Sequence, residues 1–247
     1  MKIINAGYEI LRPNPIDGIA ELKHLELCAR TAYKSEDKIT EDGESAKRMI
    51  KRLIESGHES TLEHGGMTVK FTVDRGVSHE IVRHRLASYT QESTRYCNYS
   101  KDKFGNEITV IDPCFFEGIP EELKKLVEDA CWQELEEGSI RTAYCGTTNL
   151  GVSYEDWYGA CLNSEINYLH MLAEGCSPQE ARSVLPNSLA TEVVMTANWR
   201  EWRHFLRLRA AHDAHPQIQE VARPLLNELH EKIPVLFDDV WRDVFES

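Results

Sequence analysis

Met67-Thr68-Val69-Lys70-Phe71-Thr72-Val73 alternates apolar and polar side chains, and a period of two marks a strand with one face buried and the other in water. The sequence on either side has a different period. Upstream, Met49, Ile50, Leu53 and Ile54 recur on one face of a helix from Glu44 to Ser56, and Gly57 stands where that helix should stop. Farther upstream, Asp17 is placed to cap a helix through Leu22, Leu25 and Ala29, and residues 2–11 read as one short strand. Downstream, Ser78 is expected to cap a helix carrying Ile81 and Val82 into Arg83-His84-Arg85. Past Ala87, the polar run from Ser88 to Thr94 reads as a loop.

The second half continues the mixture. Ile108, Val110 and Ile111 suggest a short strand closed by Asp112-Pro113. Pro120, Glu121 and Glu122 open a helix through Leu123, Leu126 and Val127. Residues 138–152, rich in Gly, Ser, Thr and Asn, are expected to be an exposed insertion. Ser153 and Asp156 then start a helix that Gly175 ends, and Ser177-Pro178-Gln179-Glu180 has the form of a capping box. Leu189, Thr191, Val193 and Met195 alternate as a strand, Asn198 is placed to cap a helix through Trp202, Phe205 and Leu206, and two more helices finish the chain. Helices interleaved with a few strands in no regular βαβ order predict an α+β fold: one domain over residues 1–247, with several helices around a small, mostly antiparallel sheet.

With 41% hydrophobic and 28% charged residues the chain has globular rather than disordered composition. No apolar run approaches the roughly 18 to 20 residues of a membrane span, and the start, Met1 to Gly7, lacks the apolar stretch of a signal peptide, so a cytoplasmic enzyme without membrane partners is expected. The seven cysteines form no CxxC pair and are expected to be reduced and mostly buried. A formal net charge of -13 disfavours general nucleic-acid binding, which needs Lys and Arg to neutralise phosphates. Local charge runs the other way: Arg83, His84, Arg85 and Arg95 crowd one segment, and Arg200, Arg203, Arg207 and Arg209 another. Such islands in an acidic chain suggest a discrete site for anionic small molecules.

Guanidinium forks match phosphate and carboxylate oxygens, but consecutive helical residues point in different directions, so Arg83, His84 and Arg85 are expected to serve more than one ligand. The plain alternative is a solvated helix end whose cations complement the dipole. His58-Glu59-Ser60-Thr61-Leu62-Glu63-His64 invites a metal reading, yet Ser60 occupies the first histidine position of an inverted zincin, and no metal is expected. His212-Asp213-Ala214-His215 has the form of a metal ligand set or, more commonly, of hydrogen-bonded loop residues. Arg200 and His204 share a helix face, Arg182 is a further anion candidate, and neither Ser88 nor Ser93 sits in a nucleophile elbow. Two rival classes stay open: a nucleic-acid binder stacking bases on Tyr89 and Tyr96, and a metal-dependent hydrolase using His58, Glu63, His64 and His212.

Arg83-His84-Arg85, seven residues and then Ser93 resembles the signature of flavin-dependent thymidylate synthases. The resemblance extends to His58 through His64, Ala181 through Pro186 and Asn198 through Arg209, leaving residues 101–160 poorly matched. It implies a homotetramer with shared active sites, binding FAD and methylating dUMP to dTMP, with methylenetetrahydrofolate as carbon donor and NADPH as reductant. By the same resemblance Ser60, Arg83, His84, Arg85, Gln91, Asn198, Trp199, Arg200 and His204 would contact FAD. Glu80, Ile81, Val82, Arg83, Gln91, Glu92, Ser93, Thr94, Arg95, Arg182 and Arg209 would contact dUMP. Arg209 would be catalytic, stabilising negative charge at N3 of the uracil, with Ser93 positioning substrate. Ser60, Glu80, Gln91, His204 and Asp213 depart from the family pattern as polar exchanges.

Overall fold

The computed structural model describes residues 1–136 and 149–246, with the side chains of residues 130–136 and 149–152 left aside. In chain order the elements are β1 (Lys2–Ile4), β2 (Gly7–Arg12), α1 (Gly18–Thr31), α2 (Glu44–Glu55), β3 (Gly66–Asp74), α3 (Arg75–Ile81), β4 (Ala87–Gln91), β5 (Thr109–Ile111), α4 (Glu121–Glu136), α5 (Asn149–Ala173), α6 (Pro178–Ala181), β6 (Ala190–Asn198), α7 (Trp199–Arg209), α8 (Pro216–Lys232) and α9 (Pro234–Phe245). The fold is mixed α and β, and the chain forms two compact units: Met1–Asn5, Val73–Gly76 and Glu92–Thr191 make one, and Ala6–Thr72, Val77–Gln91 and Glu192–Ser247 the other.

In the first unit β1 and β5 pair in parallel, Lys2 opposite Thr109 and Ile4 opposite Ile111. One apolar cluster gathers Ile108, Val110, Tyr168 and Leu189, and a second gathers Phe116, Val127, Tyr154 and Leu162. The Ser177–Glu180 capping box is present as its sequence predicts. Helix α5 is already running at Asn149, four residues before the expected start at Ser153. The insertion expected at 138–152 falls largely outside the described residues.

The second unit holds a four-stranded sheet in the order β2-β3-β6-β4, with β2 antiparallel to β3 and β4 antiparallel to β6. The alternation that identified β3 is the alternation observed: Met67, Val69, Phe71 and Val73 are buried, and the residues between them are not. Asp17 accepts a hydrogen bond from the Ala20 amide at the head of α1, as a capping aspartate does. Strand β6 runs straight into α7, whose cap is Asn198, its Oδ1 accepting from the Glu201 amide at 2.9 Å. Trp199, Trp202, Phe205 and Leu206 face the core from α7, Trp202 and Phe205 packing on Phe71 of β3. The Trp202 indole donates to the Met67 carbonyl at 3.0 Å, which fixes the helix against the strand. A Cβ at Gly66 would lie 2.3 Å from the Ala197 carbonyl, so the close approach of β3 to the end of β6 requires glycine there.

Four expectations give way. Residues 2–11 form two strands in different sheets, not one, because the chain leaves β1 at Asn5 and re-enters pairing at Gly7. Ser78 is not a cap: α3 begins at Arg75, and Ser78 is buried within it. Of the stretch expected to be a loop, Ser88–Gln91 is strand, since pairing of Ala87 with Ala197 and Gln91 with Val193 supplies backbone partners that its polar side chains do not advertise, and only Glu92–Thr94 lies outside helix and strand. Among the described residues the cysteines are less buried than expected; the Cys131 side chain and Cys145 lie outside them. Cys161 is enclosed, with burial pushing its thiol up to about 11, while Cys28, Cys97, Cys114 and Cys176 are half-buried, and all five are free thiols.

Candidate functional site

A polar constellation of the second unit lies where the turn after α3 meets α7. Arg83-His84-Arg85 is in that turn, not in a helix, with His84 buried and both arginines exposed. The Tyr89 hydroxyl lies between the carbonyls of Ile81, at 3.0 Å, and His84, at 2.6 Å, and so ties β4 to the turn. Burial, then the negative charge of Glu201, pushes that phenol up to about 12, which keeps it a hydrogen-bond donor. Nothing in the sequence distinguishes this tyrosine from a surface stacking group.

Arg209, at the end of α7, comes back to the same turn. Its Nη1 donates to Glu80 Oε2 at 2.7 Å, its Nη2 to the Glu80 carbonyl at 3.1 Å, and its Nε to His84 Nε2 at 3.1 Å. Three of the five guanidinium N–H groups are thereby held, and the other two stay available to a ligand. His84 Nδ1 lies 3.2 Å from Glu201 Oε1, and the His84 ring packs edge-on to His204 and Phe205. Burial, then the positive charges of Arg209, His204 and Arg83, push His84 down to about 4. Burial also raises the Glu201 carboxyl. The His84–Glu201 contact is thus a hydrogen bond from a neutral imidazole and not an ion pair.

The other arginines of α7 are held by carboxylates. Arg200 pairs with Glu63 at 2.7 Å and, more distantly, with Glu59; Arg203, fully buried, makes a two-pronged pair with Asp239 at 2.8 and 2.7 Å and reaches Glu59 and the Leu236 carbonyl; Arg207 reaches Asp239 and Asp243. A cleft of about 380 Å³ opens on this face of α7, lined by Glu59, Leu86, Arg200, Glu201, His204 and Arg207 among others. Arg200 and His204 share that exposed face, as their spacing predicts. Ser60 is exposed on the 3-10 turn Glu59–His64. Arg83 and Arg85 have no carboxylate partner among the described residues, and neither do Arg95 and Arg182 of the first unit.

Not every expected contact is exposed. Trp199 is fully buried, its indole donating to Glu21 at 3.0 Å, and Ile81 is fully buried too, so neither side chain is free for a ligand. Val82 is exposed. The Gln91 amide donates to Ser78 Oγ at 2.9 Å, which turns it inward. In the first unit Glu92 accepts from the Tyr99 hydroxyl at 2.8 Å, Thr94 is buried, Ser93 Oγ accepts from the Arg95 amide, and the Arg95 guanidinium lies over the Tyr96 ring. Of the groups in the metal reading, three are engaged elsewhere. Glu59 and Glu63 hold arginines, and His215 caps α8 by accepting from the Gln217 amide. Among the described residues, His84, Glu201 and His204 hold ligand atoms within 4.8 Å of one another, close enough to share a metal ion. Glu201 and Asp239 are the residues of this constellation that sequence reasoning missed, and Tyr89, read there only as a stacking group, turns its hydroxyl to the backbone of the turn.

Comparison with known proteins bears on this arrangement. A family model described as thymidylate synthase complementing protein matches residues 19–235. A flavin-dependent thymidylate synthase of Mycolicibacterium vanbaalenii is 32% identical over 225 residues, 90% of this chain and 80% of that protein. One from Pyrococcus abyssi is 32% identical over 221 residues, 88% and 75% respectively. A solved structure of the UMP/dUMP methylase PolB from Streptomyces cacaoi, bound with 5-Br UMP, matches with a TM-score of 0.69 over 98% of this chain and 97% of that one; at 21% identity it speaks for the fold alone. Among the described residues no helix is long and apolar enough to cross a membrane.

Proposed function

The chain belongs to the flavin-dependent thymidylate synthase family, and we propose that it methylates dUMP to dTMP with FAD as its cofactor, methylenetetrahydrofolate as carbon donor and NADPH as reductant. The observation that carries the reading is Arg209. It is a guanidinium, mostly buried and held at three points by Glu80 and His84, with two donors to spare. A fixed cation costs little reorganisation when charge develops beside it. Placed against the uracil, Arg209 stabilises negative charge spreading over N3 and its flanking carbonyls, which makes C5 the better nucleophile. Ser93 need not attack; in this reading Ser93, Arg95 and Arg182 bind and orient the nucleotide.

The residues present suit a dinucleotide cofactor. Arg83 and Arg85 are exposed and, among the described residues, free of carboxylate partners in a chain that carries 41 acidic residues, so their charge is available to a pyrophosphate. Ser60, Asn198, Arg200 and His204 are the further contacts carried by the family pattern. When bound, the flavin supplies the hydride transfer that no side chain can perform. In this reading the protein is a homotetramer, and shared active sites explain why adjacent cations serve different ligands.

The visible spectrum of the purified protein with added FAD, recorded before and after dUMP, tests the proposal. A bound-flavin spectrum that dUMP perturbs, followed by dTMP formation with NADPH and methylenetetrahydrofolate, is expected. Absence of flavin binding under both conditions overturns it.

A further inference from the structure

Asn198-Trp199-Arg200-Glu201 has the spacing of a capping box, whose glutamate folds back on its own helix end. Here the Glu201 carboxylate is turned to His84 instead. The protons on this contact can be assigned without seeing them. A guanidinium only donates, so the imidazole nitrogen facing Arg209 Nε, which is Nε2, must offer a lone pair. A neutral imidazole has one N–H, and with Nε2 unprotonated that hydrogen is on Nδ1, aimed at Glu201 Oε1. We infer that Glu201 is a positioning residue: by accepting the Nδ1–H of His84 it locks the tautomer whose Nε2 holds Arg209 in place.

Glu201 is well suited to the task. It sits in the first turn of α7 with its amide held by Asn198, and its side chain is 8% exposed. The groups around His84 are Arg209, Glu201, His204, Phe205 and Arg83, and the cations among them together with burial keep the ring neutral. The same assignment argues against a cation held by His84, Glu201 and His204. With Nδ1 protonated and Nε2 engaged by Arg209, His84 has no lone pair for a metal.

The catalytic consequence rests on the role proposed above for Arg209, but the tautomer does not. The test is long-range 1H–15N NMR of histidine-labelled holoenzyme alongside steady-state kinetics, on the wild type, Glu201→Ala and Glu201→Gln. In the wild type His84 is expected to carry its proton on Nδ1. Glu201→Ala should lose that preference and lower kcat by about tenfold, as loss of a supporting hydrogen bond commonly does, with KM for dUMP moving less than kcat. Glu201→Gln keeps a carbonyl acceptor and should restore both the tautomer and most of kcat, also deciding the matter if the alanine variant does not fold. An unchanged tautomer in Glu201→Ala overturns the inference, as does a Gln variant that folds but holds the other tautomer. Stoichiometric zinc in the wild type, lost in Glu201→Gln, would point to a metal site instead. A wild type that makes no dTMP sinks the proposed function, while the tautomer comparison still decides the role of Glu201.

Discussion

The two arginine islands look alike in sequence and are used in opposite ways. Arg200, Arg203, Arg207 and Arg209 each contact a carboxylate, and Arg203 is 2% exposed. Arg83, Arg85 and Arg95 stand exposed without an ion-pair partner among the described residues. Carboxylates are not scarce, since acidic residues outnumber lysine and arginine by 41 to 28. The second island is therefore chiefly architecture, with Arg209 proposed as its link to chemistry, and the first carries charge that no carboxylate among the described residues takes up.

The comparison breaks first at Arg209. Arg209→Ala should reduce dTMP formation by about a hundredfold or more, the loss typical of removing a fixed donor to developing charge, while flavin binding persists. Glu80 is partly exposed and can be hydrated once its partner is gone, so the variant is expected to fold. Near-normal turnover would return Arg209 to the architectural group. Next comes Arg203→Ala. Removing one member of a buried pair costs about 3 kcal/mol or more, and the partial exposure of Asp239 places the effect at the low end. The urea midpoint should fall accordingly, and an unmoved midpoint would mean that this pair does not hold α7 to α9.

The exposed island predicts the reverse pattern. Arg83→Ala combined with Arg85→Ala should leave the unfolding midpoint within about 0.5 kcal/mol of the wild type, as exposed substitutions usually do. The same change should weaken FAD binding by about tenfold or more, since each charge-assisted bond to a phosphate contributes roughly 1.5 to 3 kcal/mol. Titrating FAD against flavin fluorescence measures this directly. Loss of stability with unchanged flavin affinity would erase the distinction between the islands.

The contrast was only partly legible beforehand. Strand β3 and the Asn198-capped helix could be read because their signals are local: alternation in one case, a cap followed by a helical stripe in the other. Strand β4 could not, because Ala87-Ser88-Tyr89-Thr90-Gln91 has no apolar face and becomes a strand only through pairing with β6. The identities of the arginines pointed to anions, and the Arg-His-Arg signature pointed to the family. Which arginines are already neutralised was hidden, since Glu63 is 137 residues from Arg200, Glu80 is 129 from Arg209 and Asp239 is 36 from Arg203. Glu201 was hidden differently: its spacing from Asn198 fits a local cap, and the contact it makes reaches across 117 residues to His84.

The smallest expected effect concerns the one buried member of the exposed island. Burial and the neighbouring cations put folded His84 at about 4, whereas an unfolded histidine titrates near about 6.5. Above about pH 6.5 both states are neutral and His84 adds nothing to the pH dependence. As pH falls from there toward 4, the unfolded chain takes up a proton that the folded chain refuses, so stability declines on acidification. Glu201 works in the opposite sense, but only as pH enters the range where its raised carboxyl protonates. The His84 ring resonances should therefore stay in their neutral positions from pH 8 to 5. Titration with a midpoint near 6.5 would mean that the imidazole is not held neutral between Arg209 and Glu201, and that His84 behaves like its exposed neighbours.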